Sequence, residues 1–260
     1  MSATTEVASL RDGGILRVVL ADPRANVLSM AMMAEIAQAL EAHRERRELK
    51  LVILRGAGGN FSFGASVPEH RRETAPRMLA AFHGLVRRVA SYPVPIAALV
   101  EGRCLGGAFE LVLASHLVFA SPGAVFACPE VKLGVVPPVL SVLGHLRLGA
   151  PLAEQMILTG CEIDARRAHA CGLAAELLQP DSDPDAWSLA WYDRHLAPLS
   201  AFALREATWA SRQGSGLLHA LGRPLEDAEE RYITRLLPSH DANEGIEAFI
   251  ARRAPSWTHA

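Results

Sequence analysis

No charge of one sign is in excess in this chain: 26 Lys and Arg stand against 28 Asp and Glu, a formal net charge of −2. That balance gives no global electrostatic reason to bind nucleic acid or an anionic membrane. Cysteine is scarce, with Cys104, Cys128, Cys161 and Cys171 spread along the chain and no Cys-x-x-Cys pair. The sequence opens with no secretory signal, so the expected setting is the reducing cytoplasm, with the thiols as small buried hydrophobes and not as metal ligands. Charge or proline interrupts every apolar run before about 18 residues, which excludes a membrane-spanning helix. His-Glu-x-x-His, Gly-x-Ser-x-Gly, Gly-x-Gly-x-x-Gly and a Walker Gly-Lys-Ser/Thr ending are all missing. Those absences leave zinc peptidase, serine hydrolase and nucleotide-fold chemistry without their motifs. His83, His116 and His145 therefore read as core or surface histidines, and Gly56 to Asn60 as a loop.

Half of the 260 residues are hydrophobic, enough to bury a sizeable core. Ile15 to Leu20 reads as a strand, Met30 to Arg46 as a helix and Leu51 to Leu54 as a buried strand. That order implies a crossover. A helix over Pro76 to Ala90 and a strand over Ile96 to Val100 repeat the pattern, followed by a glycine turn, a helix through Ala114 and a short strand at Leu117 to Ala120. Beyond about Ala150 the pattern becomes helix upon helix, with Pro180 to Asp185 as the clearest linker-like interruption. Leu217, Leu218, Leu221, Ile233, Leu236 and Leu237 fit either an internal core or a subunit interface.

Two carboxylates accompany the glycine turns. Cys104-Leu105-Gly106-Gly107-Ala108-Phe109-Glu110 places a Gly-Gly pair at a helix start, where amides have no intrahelical partners and a ligand can approach a backbone without Cβ. Glu130 follows Pro129 in a second turn, and Phe63-Gly64-Ala65-Ser66-Val67 forms a third. Asn26-Val27-Leu28-Ser29 lies between a strand and a helix, with Ser29 also placed to cap that helix. Arg24, Arg71 and Arg72 have the side chain suited to phosphate.

These segments, in this order and spacing across nearly the whole chain, resemble the enoyl-CoA hydratase/isomerase (crotonase) superfamily. The resemblance implies an α/β crotonase (ClpP-like) fold of repeated ββα units in a spiral. It divides the chain into a catalytic core over 1–195 and a helical trimerisation region over 196–260. The assembly it implies is a homotrimer, commonly doubled to a hexamer. It also implies an acyl-CoA thioester as substrate, with no separate cofactor and no metal. Carried over by motif, the amides of Ala65 and Gly107 form an oxyanion hole, and Glu110 and Glu130 are the catalytic pair. Arg24, Asn26, Val27, Leu28, Phe63, Ser66, Val67 and Gly106 line the acyl-CoA groove. Retention of both glutamates favours hydration or dehydration over isomerisation, with Glu110 chiefly activating water and Glu130 chiefly transferring the proton.

Two departures bear on the substrate. Gly64-Ala65-Ser66-Val67 stands where Gly-Ala-Asp-Ile is frequent, and Val135-Val136-Pro137-Pro138-Val139-Leu140-Ser141 replaces a glycine-rich stretch, adding apolar bulk near the second glutamate. Together with Phe61 to His70, Arg103 to Gly107 and His116 to Pro122, this variant is similar to the ring-hydrating branch, the cyclohexa-1,5-diene-1-carbonyl-CoA hydratases of anaerobic benzoyl-CoA degradation. The rivals are hydration or isomerisation of a short linear enoyl-CoA, and a silent acyl-CoA-binding subunit whose pocket is filled by Val139 or Leu140.

Overall fold

Alternation along the first strands decides how the molecule is layered. In the computed structural model, which describes residues 3–260, strands β1 (Thr5–Leu10), β2 (Ile15–Leu20), β3 (Leu51–Gly56) and β4 (Ile96–Val100) lie side by side in one sheet. Strands β5 (Arg103–Leu105), β7 (Val125–Ala127) and β8 (Glu162–Asp164) make a second, three-stranded sheet, while β6 (Leu117–Ala120) and β9 (Glu176–Leu177) complete the first. The larger sheet runs β1-β2-β3-β4-β6-β9 and is parallel throughout except for the β1-β2 hairpin. Its central strands are buried on both faces, as parallel strands require.

Leu16, Val18, Leu20, Val52, Leu54, Ala98 and Val100 point into the main core. Ile15, Leu51, Ile53, Ala97 and Leu99 point to the opposite face and meet a second apolar cluster. The main core is covered by α1 (Met30–His43), α2 (Ala75–Ala90), α3 (Gly107–Ala114), α4 (Pro138–Leu148), α5 (Ala150–Thr159) and α6 (Ala165–Ala170). The second face is covered by α7 (Pro184–His195), through Tyr192 and Leu196 with Trp187 and Trp191 at the rim. The linker-like Pro180 to Asp185 segment is a turn that runs into the start of a helix packing on the sheet. Asp183 caps it by accepting from the Ala186 amide, Pro184 occupies its first turn, and Asp185 pairs with Arg17 (3.0 Å) and Arg55 (2.5 Å).

The last helices are α8 (Ala201–Gly214), α9 (Leu217–Ala220), α10 (Arg223–Arg231) and α11 (His240–Ile250), with a π-helical turn at Tyr232–Leu236 before α11. Leu217, Leu221, Leu225, Tyr232, Leu237 and Ile246 belong to the same core as β2 to β4, with Leu218, Ile233 and Leu236 partly buried against it. A division at 195/196 therefore separates no independent core. The stretch beyond Ala150, expected to be helix upon helix, is broken by β8 and β9, whose three and two residues are too short to leave a strand pattern. Helix also begins before Ala150, since Pro138 opens α4, where proline at a first helical position loses no hydrogen bond. α1 stops at His43, short of Arg46.

One polar side chain pins two loops beneath this core. Asn26, in the left-handed region at φ 57°, donates its amide to the carbonyls of Ala57 (2.8 Å) and Asn60 (3.0 Å). Its own carbonyl accepts from the Ser62 hydroxyl at 2.6 Å. Asn26→Ala should therefore cost about 2 kcal/mol, from the stranded buried carbonyls and the left-handed backbone. Urea unfolding monitored by circular dichroism checks this, with a lowered midpoint as the outcome.

Candidate active site

Two backbone bridges assemble the site from distant parts of the chain. Leu28 pairs with Ala65 and Ser62 pairs with Cys104 in isolated parallel bridges. In the first, the Leu28 amide donates to Gly64 and the Ser66 amide donates to Leu28, so the Ala65 N–H faces away from Leu28. In the second, the Leu105 amide donates to Ser62 at 3.0 Å and the Ser62 amide to Arg103 at 3.0 Å. These bonds draw the Gly64–Ala65 turn against the start of α3.

The approach there is too close for side chains. A Cβ on Gly64, where φ is 97°, would lie 2.7 Å from the Leu105 carbonyl oxygen; one on Gly106, where φ is 53°, would lie 2.7 Å from Glu130 Oε1. A Cβ on Gly107 would meet that of Ala65 at 3.3 Å. Gly107 is the first residue of α3, so its amide has no carbonyl within the helix to bond. Among the described residues, neither the Ala65 nor the Gly107 amide donates to a protein acceptor. Two neighbouring free donors at the start of a helix suit an oxygen on which negative charge develops.

α3 is buried all round, and Glu110 is the one carboxylate within it. Its Oε1 accepts from the amides of Val139 (2.7 Å) and Leu140 (2.9 Å), the first free N–H groups of α4. Val139 and Leu140 therefore hold the carboxylate by their backbones, and neither lines the cavity described below. The bulk of the Val135 to Ser141 segment falls partly beside Glu110, where a location near Glu130 alone was expected.

Glu130 sits in a 3-10 turn over Pro129–Leu133, and its Oε2 is buried without a partner. That turn is buttressed by the chain's own C-terminus: a Cβ on Gly134 would meet the Asp241 carbonyl of α11 at 2.7 Å and the Trp257 ring at 3.2 Å. Asp241 in turn accepts from the Thr258 and His259 amides, each at 2.8 Å. Burial raises the titration of both glutamates far above the ordinary carboxylate range. For Glu110 the two α4 amides oppose that rise, whereas for Glu130 the charge of Glu110 adds to it. The pair is thus biased so that Glu110 gives up its proton before Glu130.

A cavity of about 950 Å³ opens onto Glu130. Arg24, Val27, Phe63, Ala65, Ser66, Val67 and Gly106 line it, whereas Glu110 and Gly107 are buried in α3 and are not part of its wall. Asn26 and Leu28, expected to line the groove, are instead buried: one is the loop pin and the other contributes the bridge to Ala65. Arg24 is held by Asp22 at 3.1 Å with its side chain three-quarters exposed. Arg71 is paired with Glu247 at 2.7 Å and, like Arg72, is not part of the wall. Of the opposite wall, formed by Leu133, Val135, Ile246, Phe249, Arg252 and Arg253, the sequence reading singled out Val135 as pocket-shaping and gave the others no such part. For the last four the only signal was the apolar and basic spacing of the last helix and tail.

A shallower depression of about 580 Å³ at Val125, Cys161, Glu162 and Arg167 contains neither catalytic candidate. Among the described residues, no group of three or more His, Cys, Asp or Glu is arranged to hold a metal ion, and no helix is long and apolar enough to cross a membrane.

A buried Glu110 and a half-buried Glu130 beside two free amides, on a spiral of strand and helix units, define a crotonase-fold site. The family model for enoyl-CoA hydratase/isomerase matches residues 11–260, and the chain belongs to that family. It is 42% identical over 247 residues to the cyclohexa-1,5-dienecarbonyl-CoA hydratase of Thauera aromatica, covering 95% of this chain and 94% of that enzyme. It is 30% identical over 251 residues to the carnitinyl-CoA dehydratase of Proteus mirabilis, covering 94% and 95% respectively. Among solved structures, an enoyl-CoA hydratase from Mycobacterium avium subsp. paratuberculosis superposes with a TM-score of 0.84 at 29% identity, over 99% of this chain and 100% of that one.

Gly106→Ala tests the close packing of the turn on Glu130. It forces a Cβ into the carboxylate and strains a left-handed backbone, so turnover of an enoyl-CoA should fall about 100-fold while the protein stays folded. Steady-state kinetics beside a thermal melt reads both; native turnover would show that Glu130 does not need this contact.

Proposed function

We propose that this acyl-CoA hydratase adds water to cyclohexa-1,5-diene-1-carbonyl-CoA, giving 6-hydroxycyclohex-1-ene-1-carbonyl-CoA, a step of anaerobic benzoyl-CoA degradation. The carrying observation is the pair of glutamates, Glu110 buried and Glu130 half-buried at the cavity, held in unlike surroundings beside the free amides of Ala65 and Gly107. The 42% identity to a ring-hydrating enzyme supports the cyclic substrate.

Glu110, as carboxylate, takes a proton from water as the oxygen bonds to the ring carbon β to the thioester. The electrons move through the conjugated system to the thioester oxygen, where the Ala65 and Gly107 amides stabilise the dienolate. Glu130, as the neutral acid, delivers its proton to the far carbon of the diene, leaving one double bond next to the thioester carbon. One water is added, and a proton returns from Glu110 to Glu130 through solvent. No step calls on a cofactor or metal; coenzyme A is part of the substrate. Arg24, Arg252 and Arg253 at the cavity mouth offer cations to its phosphates.

The assembly reading is a homotrimer or a hexamer of two trimers in the cytoplasm, with no nucleic-acid or membrane partner. It is supported by α8, which leaves Phe202 and Trp209 exposed seven residues apart on one face.

Glu110→Gln and Glu130→Gln should each lower kcat by about 100-fold or more while CoA-ester binding persists, because an amide keeps the shape and cannot exchange the proton. In the native enzyme, kcat/KM should fall on the acid side as Glu110 takes up a proton and on the alkaline side as Glu130 loses one. Since burial raises both titrations, both limbs should lie above about pH 5 and belong to the pair jointly. Near-native turnover in both variants would remove the two-carboxylate mechanism.

The ratio of kcat/KM for the cyclic dienoyl-CoA to that for crotonyl-CoA tests the substrate, with product regiochemistry read by NMR. A ratio above one is the expected result. A preference for crotonyl-CoA would return the enzyme to linear substrates, and tight CoA-ester binding without hydration would favour the silent subunit.

A further inference from the structure

Tyr232 is a buried polar side chain that the proposed chemistry does not use. Its side chain is 2% exposed and sits in the main core, yet its hydroxyl has no hydrogen-bond partner. A phenol is normally partnered when buried, since an unmet hydroxyl costs free energy that a phenylalanine there would avoid. Glu130 Oε2 is buried and unpartnered in the same way.

The backbone fixes this tyrosine firmly. It opens the π-helical turn that follows α10, with the Leu237 amide donating back to its carbonyl at 2.8 Å. Such turns re-aim side chains and recur at functional sites. Three residues earlier, Glu229 on α10 is bonded to the buried His83 of α2 at 2.5 Å. α10 also packs on α4, whose first amides hold Glu110. The hydroxyl lies within electrostatic reach of Glu130 and Glu110, and burial with these two charges raises its titration, so it remains an O–H donor.

We propose that Tyr232 is a positioning residue of this site: its phenol holds the reacting water, and afterwards the new hydroxyl of the product, between Glu110 and Glu130. One donor and two acceptor lone pairs allow it to accept from the water while directing its own O–H toward a carboxylate oxygen. Tyr232 neither gains nor loses a proton over the cycle; its part is to fix the water's lone pair toward the substrate carbon. The proposal rests on the hydration reading for its chemistry, and on the phenol and carboxylates alone for its geometry.

Tyr232→Phe keeps the ring and removes only the hydroxyl. The variant should fold with an unchanged or higher Tm, and kcat should fall about tenfold or more with KM within about threefold. In substrate-free enzyme labelled with 13C at the glutamate carboxyls, the highest-titrating carboxyl should move upward by about half a pH unit or more, because a donor that favours the charged form is gone. If the native enzyme turns over and the variant matches its kcat, the proposal is overturned whatever the titration. If the native enzyme hydrates neither the cyclic dienoyl-CoA nor crotonyl-CoA, the hydration reading falls separately. The carboxyl titration then decides: an upward shift supports contact between phenol and carboxylate, and an unchanged midpoint overturns it.

Discussion

A carboxylate placed inside an apolar helix is the constraint on which the rest of the site depends. Glu110 occupies a helix with every residue buried, and an ionised group there needs donors that the helix cannot supply. The N-terminus of α4 supplies them through the Val139 and Leu140 amides. α4 must therefore start at one place and point one way, which gives the Pro137-Pro138 step a purpose: proline at the first helical position starts the helix without wasting a donor. The same two bonds separate the tendencies of the two glutamates, since Glu130 has no comparable donors and carries the added penalty of its neighbour's charge.

The glycine turns serve the same end from the other side. Gly64 and Gly106 allow two strands' ends to come within a Cβ's reach of each other, bringing the amides of Ala65 and Gly107 together and seating Glu130 against Gly106. Nothing flexible is needed for this. Asn26, Ser62 and the two isolated bridges hold the turns in place. The C-terminal tail presses on the turn that carries Glu130, so the last residues of the chain stabilise chemistry laid out in its middle.

The central strands, most of the helices and the glycine turns with their glutamates were legible because each leaves a local mark. Leu51 to Leu54 and Ile96 to Val100 are short apolar runs, as doubly covered parallel strands must be, and Gly106-Gly107 followed by Glu110 announces a helix start with a carboxylate one turn in. Other features had no such mark. Pro180 to Asp185 reads as a linker because proline and aspartate favour turns and caps alike, and only the ion pairs to Arg17 and Arg55 show that it docks a helix. Asn26 reads as groove lining because a loop asparagine is usually exposed; its burial follows from carbonyls more than thirty residues away.

By itself the sequence determined the strands β2, β3, β4 and β6 with the helices between them, the turns that require glycine, the presence of two glutamates and the family to which they belong, since these depend on residue type and near-neighbour spacing. The short strands β5, β7, β8 and β9 and the edge strand β1 left no such signal. Tertiary structure alone decided which amides meet Glu110, that Val139 and Leu140 support the site without filling it, that the C-terminal helices share the main core, and that the buried Tyr232 hydroxyl has no partner and lies within electrostatic reach of both carboxylates. The physical reason is distance along the chain. Burial, desolvation and the direction of a free N–H are set by groups brought together from 30 to more than 100 residues apart, and no local pattern encodes which of them will meet.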